Sequence, residues 1–416
     1  MWSSKKIFDY SIYILLFLFG IAFLNKQTYL IVFAAIIVFL GAKKGWQISG
    51  SISFLFLFFF STFCILFGSI ESPTLGLKSL CCIAAFYIGN KLNYKKNGSL
   101  KKLVLFLAFS FALYPILNLL YEFYLFGFSF SFLNSVTHYD IWSNDASAVT
   151  LIASNFCMIA SLFGFFVFYS KNKILVFLGS LIIGLACFYN LIMGGRTFFL
   201  ILIIMFAIGM VLTMILKKKG FKWIIKRLLS VAIIICLMIF LLTIVSKDFK
   251  TTFLGFFEQT HFFNRFGDVN NASDFLKTSR LDIRNSYLAL FWKYPLGGRS
   301  IFKEVGMLAH ELWLDVYDIG GIFAWVPFML YFGLSIIHIA KFCLNRFIDV
   351  ESRLIVFCCS LGLIMQFAVE PLFSGNPALL FAYCLIDGAV INYSNNNYVK
   401  FQHYSSLAQY EKSVAR

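Results

Sequence analysis

The sequence predicts an all-α protein: a polytopic bundle of about twelve transmembrane helices, with one large extracytoplasmic loop that contains short helices. Three observations predict it. Hydrophobic residues make up 60% of the chain and charged ones only 13%, which is too little polar surface to cover a water-soluble globule. The apolar residues gather into runs of membrane-spanning length. Lysine and arginine recur in every second loop between those runs, as expected of cytoplasmic loops.

In chain order the runs are Phe8 to Leu24, Thr28 to Gly41, Ile48 to Ser69, Leu75 to Ile88, Leu103 to Leu125 and Ala146 to Ser170. They continue with Ile174 to Met193, Thr197 to Leu216, Leu228 to Val245, Leu312 to Ala340, Leu354 to Ala368 and Ala378 to Tyr393. The second, fourth and eleventh are short enough to read as re-entrant or interfacial. Asn25-Lys26-Gln27, not a small-residue cleavage site, follows the first run, so that run reads as a helix of the mature protein.

The basic loops carry Lys5-Lys6, Lys43-Lys44, Lys91 with Lys95-Lys96 and Lys101-Lys102, Lys171 with Lys173, Lys217-Lys218-Lys219 with Arg227, and Lys341 with Arg346 and Arg353. Gly127 to Asp145 has neither Lys nor Arg and holds His138, Asp140 and Asp145. Both termini are therefore expected in the cytoplasm. Residues 1–245 form nine membrane helices, 246–311 the large extracytoplasmic loop, 312–393 three more helices and 394–416 a cytoplasmic tail. The net charge of +16 is then a topology signal and not the mark of a nucleic-acid binder. The ten cysteines sit in or beside apolar runs without CxxC spacing and read as small core hydrophobes.

Within the large loop, Thr252 to Phe266 mixes phenylalanines with polar residues, as an interfacial segment does. Arg280 to Trp292 reads as a helix with Ser279 as N-cap and Asp282 three residues on, stopped by Pro295 and Gly297-Gly298. Its spacing puts Arg280, Arg284, Tyr287 and Phe291 on one face. Two like charges at i, i+4 repel, so a bound anion explains that face better than helix stability does. A solvated surface, or contact with lipid phosphates, explains it equally well. Arg196 follows Gly194-Gly195 at an outer turn, where a charge near the membrane plane needs a partner unless it snorkels.

His310 stands where the loop becomes a helix, and Glu311, Asp315 and Asp318 follow as an acidic stripe. A histidine beside a carboxylate suits proton abstraction from a hydroxyl. Acidic residues at the positive end of a helix fit the macrodipole as well. Gly320-Gly321 allows a kink or close packing. The zincin pattern that His310-Glu311 opens fails, because Leu314 stands where the second ligand belongs. Only Asp387 falls deep in an apolar run, and no internal repeat is visible, which argues against an ion-coupled carrier or flippase.

These motifs, in this order, resemble the O-antigen polymerase and ligase superfamily, the Wzy and WaaL type. They are Gly194-Gly195-Arg196-Thr197, Ser279-Arg280-Leu281 leading to Tyr294-Pro295-Leu296-Gly297-Gly298, and His310-Glu311 with Gly320-Gly321 downstream. The ligase pattern has His-Asn and a Gly-x-x-Gly where this chain has His310-Glu311 and Gly321-Ile322-Phe323-Ala324. The closing segment Glu370 to Pro377 looks more like O-antigen and capsule polymerases. The resemblance implies a metal-independent, cofactor-free glycosyltransferase of the bacterial cytoplasmic membrane. In it Arg196 and Arg280 bind the pyrophosphate of an undecaprenyl-linked oligosaccharide and His310 activates the acceptor hydroxyl. Arg284 and Tyr287, from the shared helix face, and Glu311 and Asp315, from the acidic stripe, are the substrate-binding residues expected beside them, with membrane lipids and a chain-length regulator as expected partners. A ligase acting on lipid A core, and a lipid or polysaccharide transporter, are the alternatives.

Overall fold

The computed structural model describes residues 4–23, 28–44, 51–68, 73–92, 99–126, 137–144, 146–193, 195–217 and 279–395, with isolated positions 222, 225, 226 and 229. The predicted run Leu228 to Val245, the segment Thr252 to Phe266 and the tail beyond residue 395 lie outside the described residues.

Within the described residues every other predicted run overlaps a helix. The first five are α1 (Ser4–Gly20), α2 (Tyr29–Lys44), α3 (Ile52–Phe63, ending in a π turn at Cys64–Gly68), α4 (Pro73–Lys91) and α5 (Ser99–Phe126). Then come α6 (Thr150–Tyr169), α7 (Lys173–Met193) and α8 (Arg196–Lys217). Two short helices follow, α9 (Ser279–Leu290) and α10 (Ser300–Val305), and then α11 (Leu312–Leu344), α12 (Val350–Phe367) and α13 (378–395). Six helices, α5 to α8, α11 and α12, are long and apolar enough to cross a membrane. Boundaries follow local chemistry. Ser51 and Asp349 cap α3 and α12 by accepting from Phe54 N and Ser352 N, and Asn172 accepts from the first turn of α7.

One departure from an all-helical chain is the antiparallel ladder of β1 (Thr137–Tyr139) and β2 (Ala146–Ala148). The run predicted from Ala146 therefore opens as a strand. Three polar residues at i, i+4 and i+8 of α5 hold the intervening turn. Tyr114 donates to Asp140, Asn118 accepts from Ile141 N at 2.7 Å and Glu122 accepts from Tyr139 N at 3.2 Å. The buried Asp140 thus serves the fold of the predicted outer loop.

The core centres on α13, of which residues 378–390 are all buried. Phe381 takes the edges of Tyr29 and Phe33 from α2, and Phe33 in turn meets Phe19 of α1 at 4.9 Å. Glycines bring backbones together, as small residues do between membrane helices. A β-carbon at Gly388 would lie 3.0 Å from Asn90 N, and one at Gly89 would lie 2.9 Å from Ala389 N. Asp387, the one deep charge, accepts or shares a proton with His338 Nδ1 of α11 at 3.1 Å. The described cysteines are buried or half-buried free thiols.

Cross-links define the two ends of the bundle. Lys101 pairs with Glu351, and Asn392 donates to Leu92 O, at the end predicted cytoplasmic. At the other end Trp142 donates to Ile21 O, Asn376 to Leu151 O and Lys78 to Ser374 O. Helices α9 and α10 sit at this second end.

Candidate functional site

The site begins with a break in a helix. Gly321 has φ 62° and ψ −165° inside α11, a region only glycine occupies readily. The break strips helical partners from nearby backbone groups, which would be costly if they stayed bare. The loop after α9 supplies the replacements. Gly298 N donates to Ile319 O at 3.0 Å, Arg299 N to Asp318 O at 2.7 Å, and Ile322 N to Pro295 O at 2.9 Å. Gly297 makes the approach possible, since a β-carbon there would lie 2.8 Å from Ile319 O. The predicted kink at Gly320-Gly321 is thus the dock for Pro295 to Arg299.

Docking carries Arg299, in the left-handed region at φ 61°, into a buried polar cluster. Its guanidinium lies 3.7 Å from Asp315 Oδ1 and 3.6 Å from Asp318 Oδ2, and donates to Ser374 Oγ at 3.0 Å. Asp315 accepts from Ser374 N at 2.7 Å and from its hydroxyl. Asp318 caps α10 through Ile301 N and Phe302 N, at 3.0 and 3.1 Å. Lys78 closes the cluster on Ser374 O at 3.2 Å. Here the predicted acidic stripe is corrected: Asp315 and Asp318 are buried and engaged in holding the closing segment and α10. They do not line an open face beside His310.

Above this cluster lies a more open face. Arg280 donates to Val369 O at 2.9 Å and to Glu370 Oε1 at 3.3 Å. Arg284 lies 3.2 Å from Glu311 Oε1. Both guanidiniums remain accessible, with side chains 38% and 49% exposed. His310 is half-buried at the start of α11, close enough to Arg280 to feel its charge, and its Nδ1 is buried without a partner. Burial, reinforced by the Arg280 charge, lowers the His310 pKa to about 4. The imidazole is therefore neutral at pH 7, with Nδ1 shielded from solvent. Burial also raises the Glu370 carboxyl above its ordinary range, against the opposing pull of Arg280.

α9 opens at Ser279 itself, one residue earlier than the expected start, and ends at Leu290. The expected face of α9 is present in part. Phe291 lies against Tyr317, ring centroids 3.6 Å apart. Tyr287 is buried, and its hydroxyl donates to Met307 O at 2.9 Å. It packs under the loop, so it offers no free aromatic face. Arg196 opens α8 at the same end of the bundle as His310, half-buried. Arg280 lies close enough to His310 to lower its pKa.

Sequence reading missed Arg299, Ser374 and the pairing role of Glu370. One signal was available: Gly297-Gly298-Arg299 repeats the Gly194-Gly195-Arg196 pattern. No protein-family model and no curated protein matches this chain.

Proposed function

We propose that the chain is a polysaccharide polymerase of the bacterial cytoplasmic membrane, making O-antigen or capsule. It joins undecaprenyl-pyrophosphate-linked repeat units on the outer face. In this reading the bundle has about twelve spans with both termini in the cytoplasm. The observation that carries it is the half-buried, neutral His310 beside Arg280, at the end of the bundle where Arg280 and Arg284 keep accessible guanidiniums.

The chemistry follows from those groups. The acceptor hydroxyl oxygen forms a bond to the anomeric carbon of the donor glycan, the bond from that carbon to the pyrophosphate oxygen breaks, and the hydroxyl proton passes to His310. The departing pyrophosphate keeps the electron pair and is met by fixed guanidiniums, whose planar forks suit phosphate oxygens. Glu370 and Glu311 hold those forks in place before the anion arrives. A bound pyrophosphate would offset the Arg280 charge, which raises the basicity of His310 when a base is needed. Arg196, at the same end of the bundle, serves the lipid pyrophosphate.

The test is deletion of the gene, complementation with the wild-type or His310→Ala chain, and analysis of the surface glycan. A polymerase leaves single repeat units attached when the gene is deleted or His310 is replaced. Finished polymer retained on the lipid carrier would mean a ligase, and an unchanged glycan in both cases would refute the reading.

A further inference from the structure

A pocket of about 280 Å³ lies between α9 and the start of α11, beside the arginine face. Its walls include Phe291, Trp292, Trp313 and Trp325, with Arg284 and Glu311 as its charged members. The wall is rigid: Phe291 lies against Tyr317, whose hydroxyl donates to the Phe291 carbonyl, and meets Trp325 edge-on at 5.7 Å. Glu311 and Arg284 pair at 3.2 Å, and both keep side-chain surface, 11% and 49%. One is an acceptor and the other a donor.

We infer that this pocket is a subsite for one pyranose ring of a glycan, an inference that rests on the glycan-transfer reading of the adjoining face. A pyranose presents C–H groups on its faces and hydroxyls around its edge. The C–H face suits the negative face of an aromatic ring, and the hydroxyls give to a carboxylate and accept from a guanidinium. An isoprenoid chain would match the aromatics but lay hydrocarbon against the charged Arg284–Glu311 pair, the costlier outcome. The volume fits as well. It lies just below the range of small-molecule sites, roughly 300 to 1,000 Å³, in keeping with a single ring. The membrane-interface role common to tryptophan accounts for Trp292, which is 75% exposed. It does not account for Trp313 and Trp325, which are half-buried around a cavity.

The test uses the full chain in nanodiscs and saturation-transfer NMR. The probes are the methyl pyranosides of glucose, galactose, mannose, rhamnose and N-acetylglucosamine, with farnesyl pyrophosphate as the isoprenoid probe. At least one pyranoside is expected to bind. Trp292→Ala, at an exposed position that leaves the fold intact, and Glu311→Gln should each weaken it by about tenfold, the size of one lost contact or hydrogen bond. Trp292→Tyr should restore most of the binding. Binding of no pyranoside, equal binding by the wild type and both weakening variants, or Trp292-dependent binding of farnesyl pyrophosphate alone would overturn the inference. Because the readout is binding, it stands apart from the glycan phenotype: a chain that binds pyranosides without extending polymer refutes the polymerase reading and not the subsite.

Discussion

Three glycines separate what the kink in α11 requires of its backbone from what it requires of its neighbours. Gly333 is exposed on α11, and a β-carbon there would meet nothing within 4 Å; Gly306 has φ 74° but equally open surroundings. Gly321 has φ 62°, and a β-carbon there would lie 2.7 Å from Leu296 Cα. Gly333→Ala is expected to be neutral or to stabilise by up to about 1 kcal/mol. Gly306→Ala incurs the left-handed backbone cost alone, about 1–2 kcal/mol. Gly321→Ala adds to about 1–3 kcal/mol of backbone strain the loss of the docking bonds of Gly298, Arg299 and Ile322, at about 1 kcal/mol each. The sum, roughly 4–6 kcal/mol, rivals the whole net stability of many domains. Thermal unfolding of the purified protein can be followed with a thiol-reactive dye, since most described cysteines are buried. If Gly321→Ala unfolds at the same temperature as Gly306→Ala, the loop is not docked on the broken helix and the account of Arg299 fails with it.

Other expectations are read more simply. His310 should titrate near pH 4 by NMR of the imidazole, and Arg280→Ala should raise that value without restoring 6.5, because burial is the larger cause. A histidine with a lowered folded-state pKa favours the native state fully above pH 6.5, and the contribution is lost as pH falls from there toward 4; an unfolding midpoint flat across that window would contradict it. Arg280→Ala leaves Glu370 buried and unpaired, a loss on the order of 2 kcal/mol once the 38% exposure of Arg280 is discounted from the roughly 3–5 kcal/mol expected of a fully buried pair. Adding Glu370→Gln should recover part of it, and a simple sum of the two single effects would show that the pair is not coupled. Arg284→Ala should shorten the glycan less than Arg280→Ala, because Arg284 is the more exposed; equal loss in analysis of chain length would count against that order.

The helices were legible in the sequence because burial in lipid and in the bundle core both select apolar residues, and a run of them shows without knowledge of its neighbours. Gly320-Gly321 announced the kink for a similar local reason. The cluster around Arg299 was hidden because its partners are remote: Asp315 meets Ser374 across 59 residues of chain and Lys78 meets it across 296. No periodicity records such a pairing. The stripe of Glu311, Asp315 and Asp318 was visible as spacing, yet spacing does not say which side of α11 the closing segment covers. Once covered, two of its three carboxylates become part of the scaffold. Asp140 is a parallel case, where an outward loop and an acidic residue suggested a surface and Tyr114 made it an anchor.

The buried helix α13 also bears on how the chain is made. Its residues 378–390 touch the bundle on every side, yet the ribosome releases it only after α1 to α12. The earlier helices must therefore wait in the membrane around an unfilled centre. Phe381, Gly388 and Asp387 have to find α2, α4 and α11 from within that half-built ring. A polar contact such as Asp387 with His338 is a strong cue there, because lipid offers neither group another partner. Assembly on this view closes from the inside, with the segment that carries Glu370 and Ser374 drawn over the end that holds α9 and α10 as α13 seats.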